Sequence, residues 1–163
     1  MINAIMAVDD YGGISKNGSM PWPKNSSDLK WFKQNTLNSI VVMGRLTWID
    51  PFMPSPLKDR INILVTNKNP KEYPGADDYI KGDIENKIFD LLDNHKNKKI
   101  FIIGGSEIIN QSFNLIEVFY LTRIYGNFQC DKKIDLKKIE ESMNKTKTIK
   151  NDTNCHFEIW KKK

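Results

Sequence analysis

Apolar residues gather in short runs separated by polar, turn-forming stretches, and the period of each run predicts an element. Residues 2–8 (INAIMAV) read as a strand, and residues 39–43 (SIVVM), 60–66 (RINILVT) and 99–103 (KIFII) as further strands. Runs apolar on both faces, as in 39–43, suit a parallel sheet covered by helices. Residues 117–125 (EVFYLTRIY) alternate and are rich in β-branched and aromatic side chains, and 155–161 (CHFEIWK) close the chain as a last strand. Helical periods lie between the strands. Asp28, Trp31, Phe32 and Asn35 recur at i, i+3, i+4 and i+7, so a helix is expected from about Asp28, with Asn25, Ser26 and Ser27 as its polar cap. Asn25 and Asp28, three apart, approximate a capping box. Ile84, Ile88, Leu91 and Leu92 share one face of a helix over 84–95, with Asp83 as its cap. Short helices are expected after Gly44 and from Ser106 to about Phe113. Residues 78–80 form a short strand, 136–146 are amphipathic or irregular, and 148–154 read as a hairpin turn. The fold class is therefore α/β: a central mixed, mainly parallel twisted sheet with flanking helices and a C-terminal antiparallel hairpin, in a single domain over 1–163.

The candidate chemistry sits where the runs end. Two apolar strands finish in glycine and lead into helices, at Gly44-Arg45-Leu46-Thr47 and at Gly104-Gly105-Ser106-Glu107. Open α/β sheets bind ligands beyond the carboxyl ends of their strands, and glycine there lets backbone approach a phosphate. Gly-Gly alone is equally a tight turn, and the three-glycine dinucleotide fingerprint is absent. Residues 9–19, with Gly12, Gly13 and Gly18, form a mobile loop that runs straight into Met20-Pro21-Trp22. Residues 50–59 carry three prolines and no period, and their Phe52, Met53 and Leu57 are placed to line a cleft. Arg60 beside Leu57 suits a ligand with an apolar body and a carboxylate tail, although on sequence alone a surface arginine is the favoured reading. Asp28 puts a carboxylate in line with two large aromatics; taken alone, it is also a first-turn acid favoured by the helix dipole.

Composition narrows the classes. A chain of 163 residues that is 39% hydrophobic and 28% charged fits one core. No apolar run approaches the roughly 20 residues of a membrane span, and the N-terminus carries no basic leader, so no membrane partner is expected. Two cysteines, Cys130 and Cys155, make neither a disulfide framework nor a metal-ligand spacing, and a reducing, cytoplasmic location is expected. The net charge of +5 raises nucleic acid as a partner. The lysines, however, fall in short runs at element edges, interleaved with acids, and no finger or helix-turn-helix pattern accompanies them. No nucleic-acid partner is expected; the basic surface favours anionic small molecules. His156, a strand histidine without a ligand partner at metal spacing, receives no catalytic role.

Read together, these residues resemble the dihydrofolate reductase family. Met20-Pro21-Trp22, Asp28 to Lys33 (DLKWFK), Asn35-Thr36, Val42 to Trp48 (VMGRLTW), Pro56 to Arg60 (PLKDR), Ile102 to Ser106 (IIGGS) and Tyr120-Leu121-Thr122 carry the resemblance, which covers essentially the whole chain. It implies NADPH-dependent reduction of 7,8-dihydrofolate by a monomer. It implies Asp28 as the acid that reads the pterin, Trp22 in the closing loop, and Thr122 supporting the carboxylate. On the substrate side it implies Ile5, Ala7, Phe32, Leu57, Arg60 and Ile103. On the cofactor side it implies Ala7, Ile14, Met20, Gly44, Arg45, Thr47, Thr66, Asn67, Gly104, Gly105, Ser106, Glu107 and Ile108. Asp131 matches an acid that positions the mobile loop. Four departures stand out. The segment between Trp22 and Asp28 is one residue longer than in many bacterial members. The connector 49–55 does not follow the family pattern. Ile109 stands where many members have a tyrosine. Glu107 stands where some bacterial members have an arginine for the 2′-phosphate, which leaves Arg45 and Lys68 as candidate sources of positive charge. A flavin-precursor reductase of the same fold and a non-catalytic dinucleotide- or nucleic-acid-binding module are the competing readings.

Overall fold

The computed structural model describes residues 1–150 and 152–163. Ten strands and five α-helices alternate along it: β1 (Ile2–Val8), β2 (Gly13–Ser15), α1 (Ser26–Thr36), β3 (Ile40–Gly44), α2 (Arg45–Trp48), β4 (Ile61–Val65), β5 (Asp78–Ile80), α3 (Ile84–Asn94), β6 (Ile100–Gly104), α4 (Ser106–Ser112), β7 (Val118–Ile124), β8 (Lys132–Lys133), α5 (Leu136–Ser142), β9 (Met143–Ile149) and β10 (Cys155–Lys162). Eight strands form one sheet in the order β5-β4-β3-β6-β1-β7-β10-β9. The pairs from β5 to β7 are parallel, and β10 joins β7 and β9 antiparallel. The expected fold class is therefore what the chain adopts.

The apolar runs bury both faces of the sheet, as a parallel sheet requires. Ile40, Val42, Ile63, Ile100 and Ile102 turn to the side where α3 and α4 pack. Val41, Met43, Leu64, Phe101 and Ile103 turn to the side where Trp31 and Phe32 of α1 pack. Each fully buried aliphatic or aromatic side chain contributes about 1.5–3 kcal/mol of transfer free energy, so these faces hold the sheet together.

Three local expectations are corrected. Helix α1 begins at Ser26, before Asp28, because Asn25 caps it: its Oδ1 accepts the Asp28 N–H at 3.0 Å. Only that half of a capping box forms, since no Asp28 side-chain bond to the Asn25 N–H is found. Residues 136–146 divide into helix α5 and a strand, β9, that extends to Ile149. The strand was illegible because MNKTKTI is polar and exposed along most of its length; its pairing with β10 makes it a strand. Finally, β2 and β8 form a small second sheet inside segments that read as loop and turn. Among the described residues, no helix is long and apolar enough to cross a membrane.

Candidate functional site

Chain direction across the sheet creates the site. From β3 the chain moves outward to β4 and β5, and β6 then returns on the other side of β3. The carboxyl ends of β3 and β6 thus flank a point where the winding reverses, the place where open α/β sheets form a crevice. Register sets the neighbours: Gly44 stands opposite Val65, and Met43 opposite Gly104. Arg45, Thr66 and Gly105 therefore leave three adjacent strand ends. A cleft of about 1540 Å³ opens there and runs across the sheet to α1 and Arg60.

Glycine is needed at Gly104, whose φ is +120°. A Cβ there would stand 3.1 Å from Met6 Cε and 3.5 Å from Thr47 Oγ1. Gly104 joins Gly105 through a cis peptide bond. A Cβ at Gly105 would meet nothing nearer than Thr47 Oγ1 at 3.9 Å, so its backbone faces open space. The strand end, Thr47, Ser106 and Arg45 together line the cleft with donors and positive charge, a set that suits phosphate oxygens.

Asp28 is 9% exposed and lines the middle of the cleft with Ile5, Ala7 and Phe32. Burial raises its carboxyl above the ordinary range, and Thr122 pulls weakly the other way. The Thr122 Oγ1 is buried without a hydrogen-bond partner of standard geometry, so desolvation governs Asp28. Trp31 does not line the cleft. It stacks on Phe157 at 4.6 Å between ring centroids and fixes the helix over β7 and β10. At the far end Arg60 is oriented by two bonds, Nε to the Lys58 carbonyl at 2.8 Å and Nη1 to Thr36 Oγ1 at 3.0 Å. Its remaining N–H donors are free for a carboxylate.

The loop over the cleft is anchored at several points. Asp131 Oδ2 accepts the Asn17 N–H at 2.9 Å, and the Asp131 N–H donates to Ser15 at 3.1 Å. Ser19 Oγ reaches across to Asp50 Oδ1 at 3.2 Å. Trp22 packs edge-on against Phe128 at 5.7 Å. The longer segment before α1 is tied to the last strand by Asn25 Nδ2, 3.5 Å from Cys155 Sγ.

Of the expected site residues, two do not reach the cleft wall. Gly104 is covered by Met6 and Thr47, and Thr122 lies in β7 at 0% exposure. Every other one lines the cleft, including Ile14, Met20, Trp22, Gly44, Leu57, Thr66, Asn67, Ile103, Glu107 and Ile108, as do Phe52 and Met53. Ile109 is buried in the core, 2% exposed, so its side chain takes no part in the wall. Leu29 and Lys33 also line it and were missed, although Leu29 stands three residues before Phe32 and four before Lys33, at helical spacing. His156 lies outside the cleft, between Tyr125 and the buried Glu158.

The family model for dihydrofolate reductase matches residues 1–162. The chain belongs to that family. A viral dihydrofolate reductase of Saimiriine herpesvirus 2 is 35% identical over 153 residues, which are 84% of this chain and 71% of the viral one. The dihydrofolate reductase of Sus scrofa is 34% identical over 158 residues, 84% of this chain and 82% of its own. The type 9 dihydrofolate reductase of Escherichia coli is 32% identical over 98% of this chain and 92% of its own. Among solved structures, a dihydrofolate reductase from Enterococcus faecalis, complexed with NADP(H) and RAB-propyl, superposes with a TM-score of 0.80. It is 25% identical, and the likeness covers 99% of this chain and 96% of that one.

Proposed function

We propose that the chain reduces 7,8-dihydrofolate to 5,6,7,8-tetrahydrofolate with NADPH as donor. The observation that carries the reading is one buried carboxyl, Asp28, in the wall of a cleft that has a phosphate-fitting end at Gly105 and a carboxylate-fitting end at Arg60. The cofactor residues fit the group: an open glycine backbone, the hydroxyls of Thr47, Ser106 and Thr66, and the charges of Arg45 and Lys68. Bound NADPH supplies a hydride to C6 of the pterin.

The chain's own residues orient and polarise the substrate. Asp28 accepts from the 2-amino group and N3–H of the pterin, a two-point contact that fixes the ring. Its negative charge favours a proton at N5, which arrives from solvent beside the loop. Phe32 and Leu57 bound the aromatic body, and Ile5, Ala7 and Ile103 bound the ring edge. Arg60 holds the tail carboxylate through its free N–H donors. Met20, Ile14 and Trp22 exclude water where charge moves. Thr122 touches no substrate and acts as a positioning residue beneath Asp28. Asp131 positions the loop through Asn17. The reading takes the enzyme to be a cytoplasmic monomer; in support, one chain supplies both ends of the cleft, and Cys130 and Cys155 are free.

The test is a spectrophotometric assay of purified chain with NADPH and dihydrofolate. Folded protein that oxidises no NADPH would overturn the reading.

A further inference from the structure

We propose that Asn62, which touches no ligand, is the positioning residue that sets Leu57 and Arg60 relative to each other and so gives the cleft its selectivity for a substrate with a carboxylate tail. The role rests on the reductase reading, which makes Leu57 the wall and Arg60 the anchor for that tail. Asn62 is the one polar side chain in β4, where it stands opposite Val41 of β3. It is 1% exposed and does not line the cleft. A buried amide needs partners for its oxygen and for both of its N–H groups. Here every partner is backbone of one loop. Oδ1 accepts the Leu57 N–H at 2.8 Å, and Nδ2 donates to the Leu57 carbonyl at 2.9 Å and to the Arg60 carbonyl at 3.1 Å. Those partners settle which way the amide points, since one backbone donor and two backbone acceptors face it.

The amide thus pairs with Leu57 as a neighbouring strand would, bonding both its N–H and its C=O. It also ties the residue that opens the loop to the one that closes it. Between the two the chain turns through Asp59, whose φ is +61°. The clamp itself is fixed to the sheet: the Asn62 N–H donates to Asp77 Oδ2 at 2.7 Å, and the Asn62 carbonyl accepts the Asp77 N–H at 2.8 Å. Leu57 and Arg60 therefore share one support. Arg60 Nε is held by the Lys58 carbonyl inside the same loop, and only the Nη1 bond to Thr36 comes from outside it. Without the amide, one N–H and two carbonyls lose their partner, and the apolar wall and the guanidinium lose their fixed separation. The pterin end is built from α1 and β1, which this loop does not carry.

Kinetics of the intact chain test the clamp with two substrates, dihydrofolate and a 7,8-dihydropterin that lacks the aminobenzoylglutamate tail. Asn62→Leu is close in volume and removes every side-chain bond. It is expected to raise KM for dihydrofolate roughly five- to tenfold, the size of a partly lost charge-assisted contact, with kcat within about twofold. KM for the dihydropterin should stay the same. In an Arg60→Ala background the same substitution should raise KM for dihydrofolate by less than about threefold, because the anchor it positions is gone. An unchanged KM for dihydrofolate, equal losses with both substrates, or full additivity with Arg60→Ala would overturn the proposal. Amide hydrogen exchange in the native chain needs no folded variant. The Leu57 N–H should exchange as slowly as the amides of β4, and exchange at the rate of an open loop would also overturn it. If the chain reduces neither substrate, the reductase reading fails by itself. The clamp is then judged from calorimetric binding of folate, which Asn62→Leu should weaken by the same factor; equal affinity in native chain and variant would overturn it.

Discussion

Asp28 and Arg60 divide the work at the level of single residues. Asp28 is buried at a cost, since its carboxyl is raised by desolvation. A carboxyl whose folded pKa lies above its unfolded value favours folding only while protonated, and that contribution is lost as pH rises through the folded pKa. Asp28→Asn should therefore lower turnover roughly 100-fold or more, the size of a lost acid–base contribution, while raising the melting temperature at pH 7. The thermal gain should vanish in acid, below the ordinary carboxylate range. In the native protein the hydride step needs a proton at N5, drawn from solvent and favoured by the buried Asp28. Single-turnover rates should fall as pH rises, with the break above the ordinary carboxylate range. Arg60, oriented by Lys58 and Thr36, should behave differently. Arg60→Ala should raise KM for dihydrofolate about tenfold or more, the worth of a charge-assisted contact, and change kcat little. A pterin substrate without the glutamate tail should not distinguish the variant.

Among the elements, β1, β2 and the segment before β8 meet at one carboxylate. Asp9, 1% exposed, accepts from Tyr11 and Gly13 through Oδ1, at 2.9 and 2.8 Å, and from Phe128 through Oδ2 at 3.1 Å. Burial alone would raise it, but the N–H groups of Phe128, Gly13 and Tyr11 outweigh burial and hold its carboxyl below the usual range. Gly13 is required beside it, because a Cβ there would stand 2.5 Å from Cys130. Asp9→Ala should cost about 3 kcal/mol at neutral pH in a denaturant titration, since it orphans those donors. The sign follows from the lowered pKa. The stabilisation is complete above the unfolded carboxylate pKa and is lost as pH falls through the folded one, so the gap between native and variant should narrow in acid. Asp9 did not announce itself in the sequence, where it reads as one turn residue among several. Its partners at Phe128 and Cys130 lie more than a hundred positions away and meet it only through tertiary contacts, the pairing of β2 with β8 and the hydrogen bonds between Asp10 and Gly126.

For the molecule as a whole, the relevant quantity is charge. A net charge of +5 and a cleft rimmed by Arg45, Lys68 and Arg60 suit ligands carrying phosphates and carboxylates. The dependence of kcat/KM for dihydrofolate on ionic strength should be negative, with most of the fall below about 0.1–0.2 M salt, where screening sets in. An unchanged kcat/KM across that range would separate the surface charge from ligand capture.

The sequence by itself determined the sheet and the cleft's two ends. Runs such as SIVVM and KIFII are too apolar to lie anywhere but inside, and each ends in a glycine that begins a turn. The i, i+3, i+4 spacing put Asp28 in register with Phe32 and Trp31 on one helix. Tertiary structure decided what those residues face. It sent Phe32 into the cleft and Trp31 onto Phe157, and it withdrew Thr122 and Gly104 from the wall. It also made β9 a strand, because that exposed, polar segment is fixed by the partner it pairs with rather than by its own pattern. The physical division is between local terms and contact terms. Periodicity, caps and turns are read from neighbours in the chain, whereas burial, hydrogen-bond partners and the raised carboxyl of Asp28 come from residues that only folding brings together.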